Sequence, residues 1–301
     1  MKRKIEEVGI HFSKRRTYRQ KHFFLNRLIT QLSSVGCEMN MIEKNSKTDR
    51  SNHLVVGNLK KSKIVIVAAY DTGSKHLNPF YTYQPLNSGH NYKEEMRNIM
   101  GYSILTIIVI SFAILFTKWG FRGDMLQKAA VIIFNLSATI LVFRWVKKPD
   151  NKFNMNRNSA AVSVMYESIE RIKKGCYVFL DNAVKSDQGY HEFSKEIQDQ
   201  HVIVLDCIAK GEHMCLAYRI GMEQMAKKIK DAFELPIELI PLEEKQYRNT
   251  PLSGFKNGYM LTSGELCKGM IYVKKVRNAS DVEIDLVRLE KVEKGLEELF
   301  S

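Results

Sequence analysis

The chain has 301 residues, enough for one α/β domain with a full core but too few for two such domains together with a membrane segment. Its 46 lysines and arginines exceed its 33 acidic residues, and the net charge of +13 favours an anionic surface, either phospholipid or nucleic acid. The five cysteines form no C-x-x-C pair and have no regular spacing, which argues against a disulfide framework and indicates reduced thiols in a cytosolic compartment.

The N-terminal segment is basic, and no apolar run long enough for a signal peptide follows it. We interpret residues 2–21 as an arm attracted to anionic headgroups, with RNA as the other partner that its charge allows. Arg19–Ser34 has apolar residues at helical spacing and ends before Gly36, which predicts a first helix. Three predicted strands follow, the last continuously apolar as expected for burial on both faces: Glu38–Ile42, His53–Leu59 and Lys63–Tyr70.

Two apolar stretches, Gly101–Thr117 and Ala129–Val146, come after a predicted loop at Asn78–Asn91 and are joined by the polar turn Lys118–Met125. Each is near the lower end of the roughly 17 to 25 residues that cross a hydrocarbon core. Together they predict a transmembrane helical hairpin. The amide of Asn135, deep in the second stretch, is expected to bond to the neighbouring helix.

Basic residues give the expected orientation of the hairpin. The turn carries only Lys118 and Arg122, partly offset by Asp124, whereas many more cations precede the first span or lie at the end of the second and just beyond it: Lys93, Arg97, Arg144, Lys147, Lys148, Lys152 and Arg157. This bias predicts a cell-membrane protein with two spans and both termini in the cytoplasm. The chain then divides into a first part of a cytoplasmic domain (1–98), the hairpin (99–148) and the remainder of that domain (149–301). The alternative is a buried helical hairpin of a large soluble protein, whose apolar surface other segments would have to cover.

Beyond the hairpin, strands again alternate with helices. Asn158 is expected to cap a helix at Ser159–Lys173 that leads into a strand at Cys176–Leu180. Ser280 and Glu283 form a capping-box pattern at the start of the last helix. The further predicted elements are His201–Ile208, Gly221–Phe233, Ile237–Leu242, Gly258–Thr262, Met270–Lys275 and Asp281–Phe300. The alternation predicts an α/β fold with a mostly parallel central sheet flanked by helices, which binds ligands at the carboxyl ends of its strands.

The order of four blocks resembles the M28 peptidases, the family of zinc aminopeptidases and glutaminyl cyclases. KIVIVAAYDT is similar to the family's strand ending in His-x-Asp, and RNSAAVSVMYESIERI to its helix opening with Asp-Asn. YVFLDNAVKSDQG is similar to the strand followed by Glu-Glu, and VIVLDCIAKG to the strand ending in Asp. The match covers most of the chain outside the hairpin. It implies a zinc-aminopeptidase-like fold interrupted by a two-helix membrane insertion.

Carried over residue by residue, the resemblance implies that the zinc chemistry is lost. The family's zinc-binding His falls on Ala69, and its metal-bridging Asp falls on Arg157. The catalytic Glu and the adjacent ligand Glu fall on Ala183 and Val184, and no His in the segment RNTPLSGFKNGY supplies the last ligand. A catalytic zinc needs about three protein ligands, and a pair of metals needs a bridging carboxylate. The resemblance therefore implies neither a metal nor catalysis at these positions.

Three positions keep the family's residue, namely Asp71, Asn158 and Asp206. We expect Arg157 to neutralise Asp206 or Asp71 in place of a metal. Asp71 and Asp206 are otherwise interpreted as caps of backbone amides at strand ends. Cys207 is interpreted as a core thiol, because no His partner for a nucleophile is identifiable. Substitute zinc ligands for a rebuilt site would have to come from His76, His90, His191 and His213, none of which has metal-site spacing.

The hairpin interrupts the fold between Asp71 and the helix that bears Arg157, so the mouth of the cleft is expected near the bilayer. The interpretation is a catalytically inactive peptidase-like protein that binds a peptide or a membrane-protein partner on the cytoplasmic face. The alternative is a metal-dependent aminopeptidase or amide hydrolase with a non-standard zinc site. Nucleic acid is not expected as a partner, because interleaved aromatic and glycine patterns are absent from the sequence.

Overall fold

The computed structural model describes residues 1–45, 50–184, 186–267 and 269–301. Lys185, in the family-like block YVFLDNAVKSDQG, lies outside these ranges. The strands β1 to β10 are, in chain order, Met39–Asn45, Arg50–Val56, Ile64–Ala69, Thr82–Tyr83, Cys176–Leu180, His201–Asp206, His213–Arg219, Ile237–Leu242, Asn257–Cys267 and Met270–Lys274. The helices α1 to α9 are Lys2–Glu6, Tyr18–Ser34, Ser88–Gly120, Met125–Val146, Ala160–Ile172, Gln188–Ser194, Glu223–Ala232, Glu244–Tyr247 and Leu286–Phe300. Single turns of π-helix lie at Glu7–His11 and Met155–Ser159.

The strands form one sheet in the order β1-β2-β5-β3-β6-β9-β10-β4, with β7 paired to β9 and β8 paired to β7. The central strands β5, β3, β6 and β9 pair in parallel. The predicted α/β class with a central sheet flanked by helices is thus confirmed: its four central strands are parallel, and β7 and β8 also pair in parallel. The pairs β1-β2, β2-β5, β7-β9, β9-β10 and β10-β4 are antiparallel. The links within β1-β2 and β9-β10 are too short for the crossover that a parallel pair requires.

The two faces of the central strands enter different cores. Val67, Val178, Val204 and Met260 lie side by side across the four strands and pack with α6 on one face. Their alternating neighbours, such as Ile66, face the larger core built with α2, α5 and α9. Burial on both faces explains why the sequence of β3 is continuously apolar rather than alternating.

Two predicted helix caps are wrong. Asn158 does not cap α5: its amide Nδ2 donates to the carbonyl of Asp71, and its Oδ1 accepts from Arg15 Nη2 at 3.2 Å. The side chain is held by tertiary partners, so α5 begins instead from a π-helical turn. The last helix begins at Leu286, where Asp285 Oδ1 accepts from the backbone N–H of Arg288 at 3.0 Å. Ser280 and Glu283 therefore lie before the helix.

The N-terminal segment is packed into the fold and is not a free arm, while the attraction of its exposed cations, such as Lys2 and Arg3, to anionic headgroups stays a prediction. Arg15 is fully buried and donates to the carbonyls of Tyr70 at 2.6 Å and of Val8 at 2.7 Å. Lys4 lies over the ring of Tyr166, 3.5 Å from its centroid. These cations satisfy buried acceptors, and so their charge is not offered to an outside anion.

The predicted hairpin is formed by α3 and α4, which are long and apolar enough to cross a membrane and are almost wholly exposed in this chain. The first helix begins at Ser88, inside the predicted loop, and its first turns belong to the soluble part: Glu94, Glu95 and Asn98 are buried there. Asn135 Nδ2 donates to Thr117 Oγ1 at 2.9 Å, which confirms the predicted bond between the two helices. No segment among the described residues covers the apolar surface of the pair.

Candidate functional site

The positions predicted from the family resemblance lie at or beside the carboxyl ends of three adjacent parallel strands. Asp71 follows β3, Ala183 and Val184 follow β5, and Asp206 ends β6. Arg157 stands on the π-helical turn before α5, which packs against the same edge through Asp206. In a sheet of this kind the carboxyl edge of the parallel strands is where ligands bind. The structure thus brings these side chains to one edge of the sheet.

Arg157 and Asp206 form a buried ion pair at this edge. Arg157 Nη1 donates to Asp206 Oδ1, and both side chains are at most 4% exposed. The hydroxyl of Tyr83 donates to Asp206 Oδ2 at 2.8 Å, while its ring lies 3.8 Å from the Arg157 guanidinium carbon. Both oxygens of the carboxylate are therefore engaged by the chain itself. The predicted neutralisation of Asp206 by Arg157 is confirmed.

The electrostatics of this cluster follow from burial and pairing. Burial is the largest single influence on Arg157 and would lower its pKa, but Asp206 together with Tyr83, Cys207 and Tyr190 outweighs it, and the pKa rises well above the usual value. Burial raises the pKa of the Tyr83 hydroxyl well above its usual value, although Arg157 opposes the shift. Burial, with Asp206 adding to it, also raises the pKa of the Cys207 thiol. A thiol that keeps its proton is a poor nucleophile, which agrees with the core role expected for Cys207.

The backbone at Cys207 is strained. Its φ of 54° lies in the left-handed region of backbone conformations, which residues other than glycine rarely adopt. Ser263 on β9 holds this conformation, because its hydroxyl donates to the Cys207 carbonyl at 2.6 Å and its N–H donates to the same oxygen at 3.1 Å. The turn directs the chain away from the sheet just after Asp206. Strain of this kind persists only where surrounding contacts fix the conformation.

Asp71 has the capping role that was expected of it. Its Oδ1 accepts from the backbone N–H of Ala183 at 3.1 Å, and its Oδ2 accepts from that of Val184 at 3.3 Å. The carboxylate therefore fixes the loop after β5, at the two positions that the family resemblance assigns to glutamates. Asp206, by contrast, binds side chains and is not such a cap.

The strap, residues 74–87 between β3 and α3, covers the edge of the site. Its strand β4 pairs with β10, so that Tyr81 and Tyr83 join a small core with Ile271 and Val273. Tyr81 stacks on His76 with ring centroids 4.2 Å apart. This strap fills the space beside Arg157 with the chain's own aromatic side chains. Its strand β4 lies within the segment Asn78–Asn91, which the sequence predicted to be a plain loop.

The donors at this edge do not fit a zinc centre. Ala69, Ala183 and Val184 offer no ligand atom, and the guanidinium of Arg157 stands where a cation would need a carboxylate. Among the described residues, no three His, Cys, Asp or Glu side chains converge on a point that a metal ion could occupy. The histidines considered as substitutes are dispersed. His76 Nδ1 accepts from the N–H of Asn78 at 3.1 Å, and His213 lies beside Glu238 on the surface.

Sequence reasoning missed Tyr83 as a member of the site. In the segment 81–84, Tyr81 and Tyr83 alternate with polar residues. This alternation is typical of a strand and could have indicated one here. Sequence reasoning also missed Arg15, whose Nη2 donates to Asn158 Oδ1 and to Ser159 Oγ at 3.0 Å. Nothing in the local pattern around Arg15 distinguishes it from the exposed basic residues beside it.

The fold is similar to that of solved aminopeptidases and glutaminyl cyclases. The LapA aminopeptidase of Legionella pneumophila matches with a TM-score of 0.55 and 9% identity, covering 98% of this chain and 69% of that chain. The glutaminyl cyclase of Porphyromonas gingivalis matches with a TM-score of 0.56 and 10% identity, covering 99% and 94%. That of Fimbriiglobus ruber gives 0.51 and 11%, covering 99% and 91%. No family model and no curated protein sequence matches the chain. At such identities the likeness establishes the fold alone, and that fold is the one the block order predicted.

Proposed function

We propose that the chain is a membrane-anchored, catalytically inactive relative of the M28 zinc aminopeptidases and glutaminyl cyclases that binds a peptide or membrane-protein partner on the cytoplasmic face. The observation that carries the proposal is the buried ion pair of Arg157 and Asp206. It occupies the positions that the resemblance assigns to a metal-bridging carboxylate and a zinc ligand. A salt bridge with both carboxylate oxygens engaged replaces the centre on which that chemistry depends.

Two losses support inactivity independently. Metal-assisted hydrolysis needs a metal to polarise the substrate and activate water, and it needs a general base to take the proton. Ala183 stands at the position of the base, and Ala69, Val184 and Arg157 stand at ligand positions. A fixed guanidinium beside a divalent cation would also repel it by several kcal/mol at an effective dielectric near 20.

The hairpin supports anchoring at the cell membrane. Helices α3 and α4 expose large apolar side chains along most of their length. Exposure of so much apolar surface to water is unfavourable, and such surfaces mark contacts with a membrane or a partner. Cations at the base of the hairpin, including Lys93, Arg144 and Lys147, favour a cytoplasmic soluble domain with both termini on that side.

The strap favours a partner that binds away from the position that the family resemblance assigns to the metal. Tyr83 is 4% exposed and packs on Arg157, so this part of the edge is filled by the chain itself. The same strap continues into α3, which joins the covered site directly to the membrane. A membrane protein beside the hairpin therefore agrees better with the structure than a peptide held over the ion pair.

The proposal is tested first by metal content and activity of the detergent-purified full chain, expressed with zinc available. We expect less than stoichiometric zinc by elemental analysis, with no hydrolysis of aminoacyl p-nitroanilides and no cyclisation of peptides that begin with glutamine. The combined variant Ala69→His, Arg157→Asp, Ala183→Glu and Val184→Glu restores the ligand types and shows whether the assay detects zinc at this edge. About one zinc or more per natural chain, lost in Asp206→Asn but kept in the exposed control Asp199→Asn, would show a metal site at this edge, and hydrolysis or cyclisation lost in the same variant would show a metalloenzyme.

Anchoring is tested separately. The natural chain should remain in the membrane fraction after carbonate washing, and a reporter inserted in the turn at 121–124 should lie on the opposite side of the membrane from one at the C-terminus. Release by carbonate, or the same side for both reporters, would remove the two-span arrangement without affecting the conclusion on metal.

A further inference from the structure

The membrane hairpin has a groove along one face, between α3 and α4. It has a volume of about 460 Å³, and its walls are residues one helical turn apart on both helices. Ile110, Ala113 and Thr117 line it from α3, and Asn135 and Ala138 line it from α4. The small side chains of the two alanines leave room for another helix to approach closely, which is how helices associate within bilayers.

The groove contains an acceptor that the chain does not satisfy. Both N–H groups of the Asn135 amide are used, one by Thr117 Oγ1 and one by the carbonyl of Val131, each at 2.9 Å. Its Oδ1 accepts from no donor among the described residues, and Thr117 turns its own hydroxyl to the carbonyl of Ala113 at 2.7 Å. In hydrocarbon no water is at hand to satisfy such an oxygen. An occupant with a hydrogen-bond donor at this depth would satisfy it.

The groove also carries an unpaired charge. Lys118 lines it at the end next to the turn, and no acidic side chain within the described part of the chain pairs with its ammonium group. Lys118 follows Thr117, the contact of Asn135, and is the groove residue of α3 nearest the turn, so that snorkelling to the interface places its charge on the turn side of the amide, within about one helical turn of it. The occupant that complements both groups has an acidic residue about one turn from its donor.

These features disfavour a second copy as the occupant. Copies in one membrane share an orientation, so a two-fold axis along the hairpin would place Lys118 against Lys118 and Arg122 near Arg122. The hydroxyls of Ser137 and Thr139 on α4, both exposed, already donate to carbonyls one turn earlier and are not free donors. A copy that presented α4 would thus leave the acceptor unsatisfied, and one that presented the exposed hydroxyl of Ser111 on α3 would still bring the like charges together.

We propose that this groove binds a transmembrane helix of another membrane protein, which donates a hydrogen bond to Asn135 and presents a carboxylate to Lys118. The proposal rests on the proposed function, since it gives chemistry to the membrane partner inferred there. The helix lies against Ala113 and Ala138, with its donor, a serine, threonine or asparagine, at the depth of the amide. Its acidic residue lies towards the turn that joins the two spans.

The probe for the test is a synthetic transmembrane peptide of leucine and alanine with one central serine, a glutamate one turn away, and a dansyl group at the glutamate end. The chain has two tryptophans, and in the variant Trp145→Phe only Trp119, near the turn, remains as the fluorescence donor. Full-length protein in phosphatidylcholine nanodiscs is titrated with the peptide, and energy transfer from Trp119 is followed. Matched peptides replace the serine with leucine, or the glutamate with glutamine or lysine.

We expect saturable energy transfer with the serine and glutamate peptide. Removing the donor from the peptide, or the acceptor through Asn135→Leu, should weaken binding roughly threefold to tenfold, the range of interhelical polar contacts in bilayers. Ala113→Leu fills the groove and should abolish binding, while Ala129→Leu, an equal change on exposed surface outside it, should not. Lys118→Glu should reverse the preference, so that the lysine peptide binds better than the glutamate peptide.

Several results would overturn the groove proposal. They are equal transfer with all four peptides, no effect of Ala113→Leu, or self-association of the chain that Ala113→Leu abolishes, which would make a second copy the occupant. A phospholipid that co-purifies with the natural chain but not with Ala113→Leu, without peptide binding, would make lipid the occupant. A chain that cannot be recovered in nanodiscs at all would contradict membrane anchoring itself, and thus the proposed function. A chain that inserts but binds no peptide would contradict only the groove.

Discussion

Arg157 and Asp206 form an ion pair at the carboxyl edge of the sheet, and the oxygen that the guanidinium leaves free accepts the hydroxyl of Tyr83 at 2.8 Å. Both side chains are buried, so each charge is compensated by its partner and not by water. A buried charge left without its partner costs about 3 to 5 kcal/mol, whereas replacing both partners by apolar residues is often neutral or stabilising.

This asymmetry predicts a specific pattern of stabilities. Arg157→Met and Asp206→Leu should each lower the free energy of unfolding, Arg157→Met by about 3 to 5 kcal/mol because it leaves the carboxylate buried and unpaired. The double variant should be clearly more stable than Arg157→Met alone. Thermal unfolding of the purified protein measures the series. Additive losses in the double variant would show that the two side chains act independently.

Tyr83→Phe removes only the hydrogen bond to Asp206 and keeps the ring over the guanidinium. A hydrogen bond to a charged group contributes about 1.5 to 3 kcal/mol, and we expect a loss of that size. Tyr92→Phe is the matched control, because the Tyr92 side chain is 57% exposed, and it should leave the unfolding temperature unchanged. Equal effects of the two changes would contradict a buried bond at Tyr83.

Asp281 predicts a dependence of stability on pH. Burial raises its pKa to about 7 from an ordinary value of 3.8, although the N–H groups of Asn156 and Arg157 oppose the shift. The folded state therefore holds this proton more tightly than the unfolded chain does. The resulting stabilisation is fully present below the ordinary pKa and is lost as the pH rises through about 7.

The free energy of unfolding should accordingly fall by up to about 1.4 kcal/mol per pH unit as the pH rises from roughly 4 to 7. Asp281→Asn should remove this part of the slope, and Asp199→Asn, at a carboxyl that is exposed, should keep it. Denaturant titrations at several pH values give the comparison. An unchanged slope in Asp281→Asn would assign the dependence to other groups.

The contacts of Glu95, at the base of the hairpin, lead us to expect that this part of α3 stabilises the strap. Glu95 Oε2 accepts from Arg277 Nη1 at 2.6 Å, and Arg277 Nε donates to the Ser74 carbonyl at 2.9 Å. Glu95→Gln should weaken this buried contact and increase hydrogen exchange in residues 74–87. Glu94→Gln is the matched control, because the Glu94 side chain pairs with Arg97 on the same helix, at a guanidinium that is 72% exposed, and not with the strap. Equal exchange in both variants would separate the strap from the hairpin.

The α/β class, the two apolar helices and the central parallel strands could all be predicted from the amino-acid sequence. These features rest on periodicity and length: a continuously apolar β3 and two stretches of membrane-spanning length are properties of the local chain. The residues at the strand ends could be predicted as well, because Asp71 and Asp206 directly follow apolar runs. The pairing of Arg157 with Asp206 was predictable once the block order had placed an arginine at the same edge.

The contacts of those side chains depend on the folding of the whole chain and could not be predicted from the local sequence. Asn158 has the sequence pattern of a helix cap, but Arg15 and the Asp71 carbonyl bind it first, since contacts between distant segments outweigh a local preference. Tyr83 reaches Asp206 across 123 positions of the chain, a separation that no local pattern encodes. The basic residues at the N-terminus show the same limit. Charge is visible in sequence, but whether a cation is buried against carbonyls or exposed to an anion depends on how the whole chain packs.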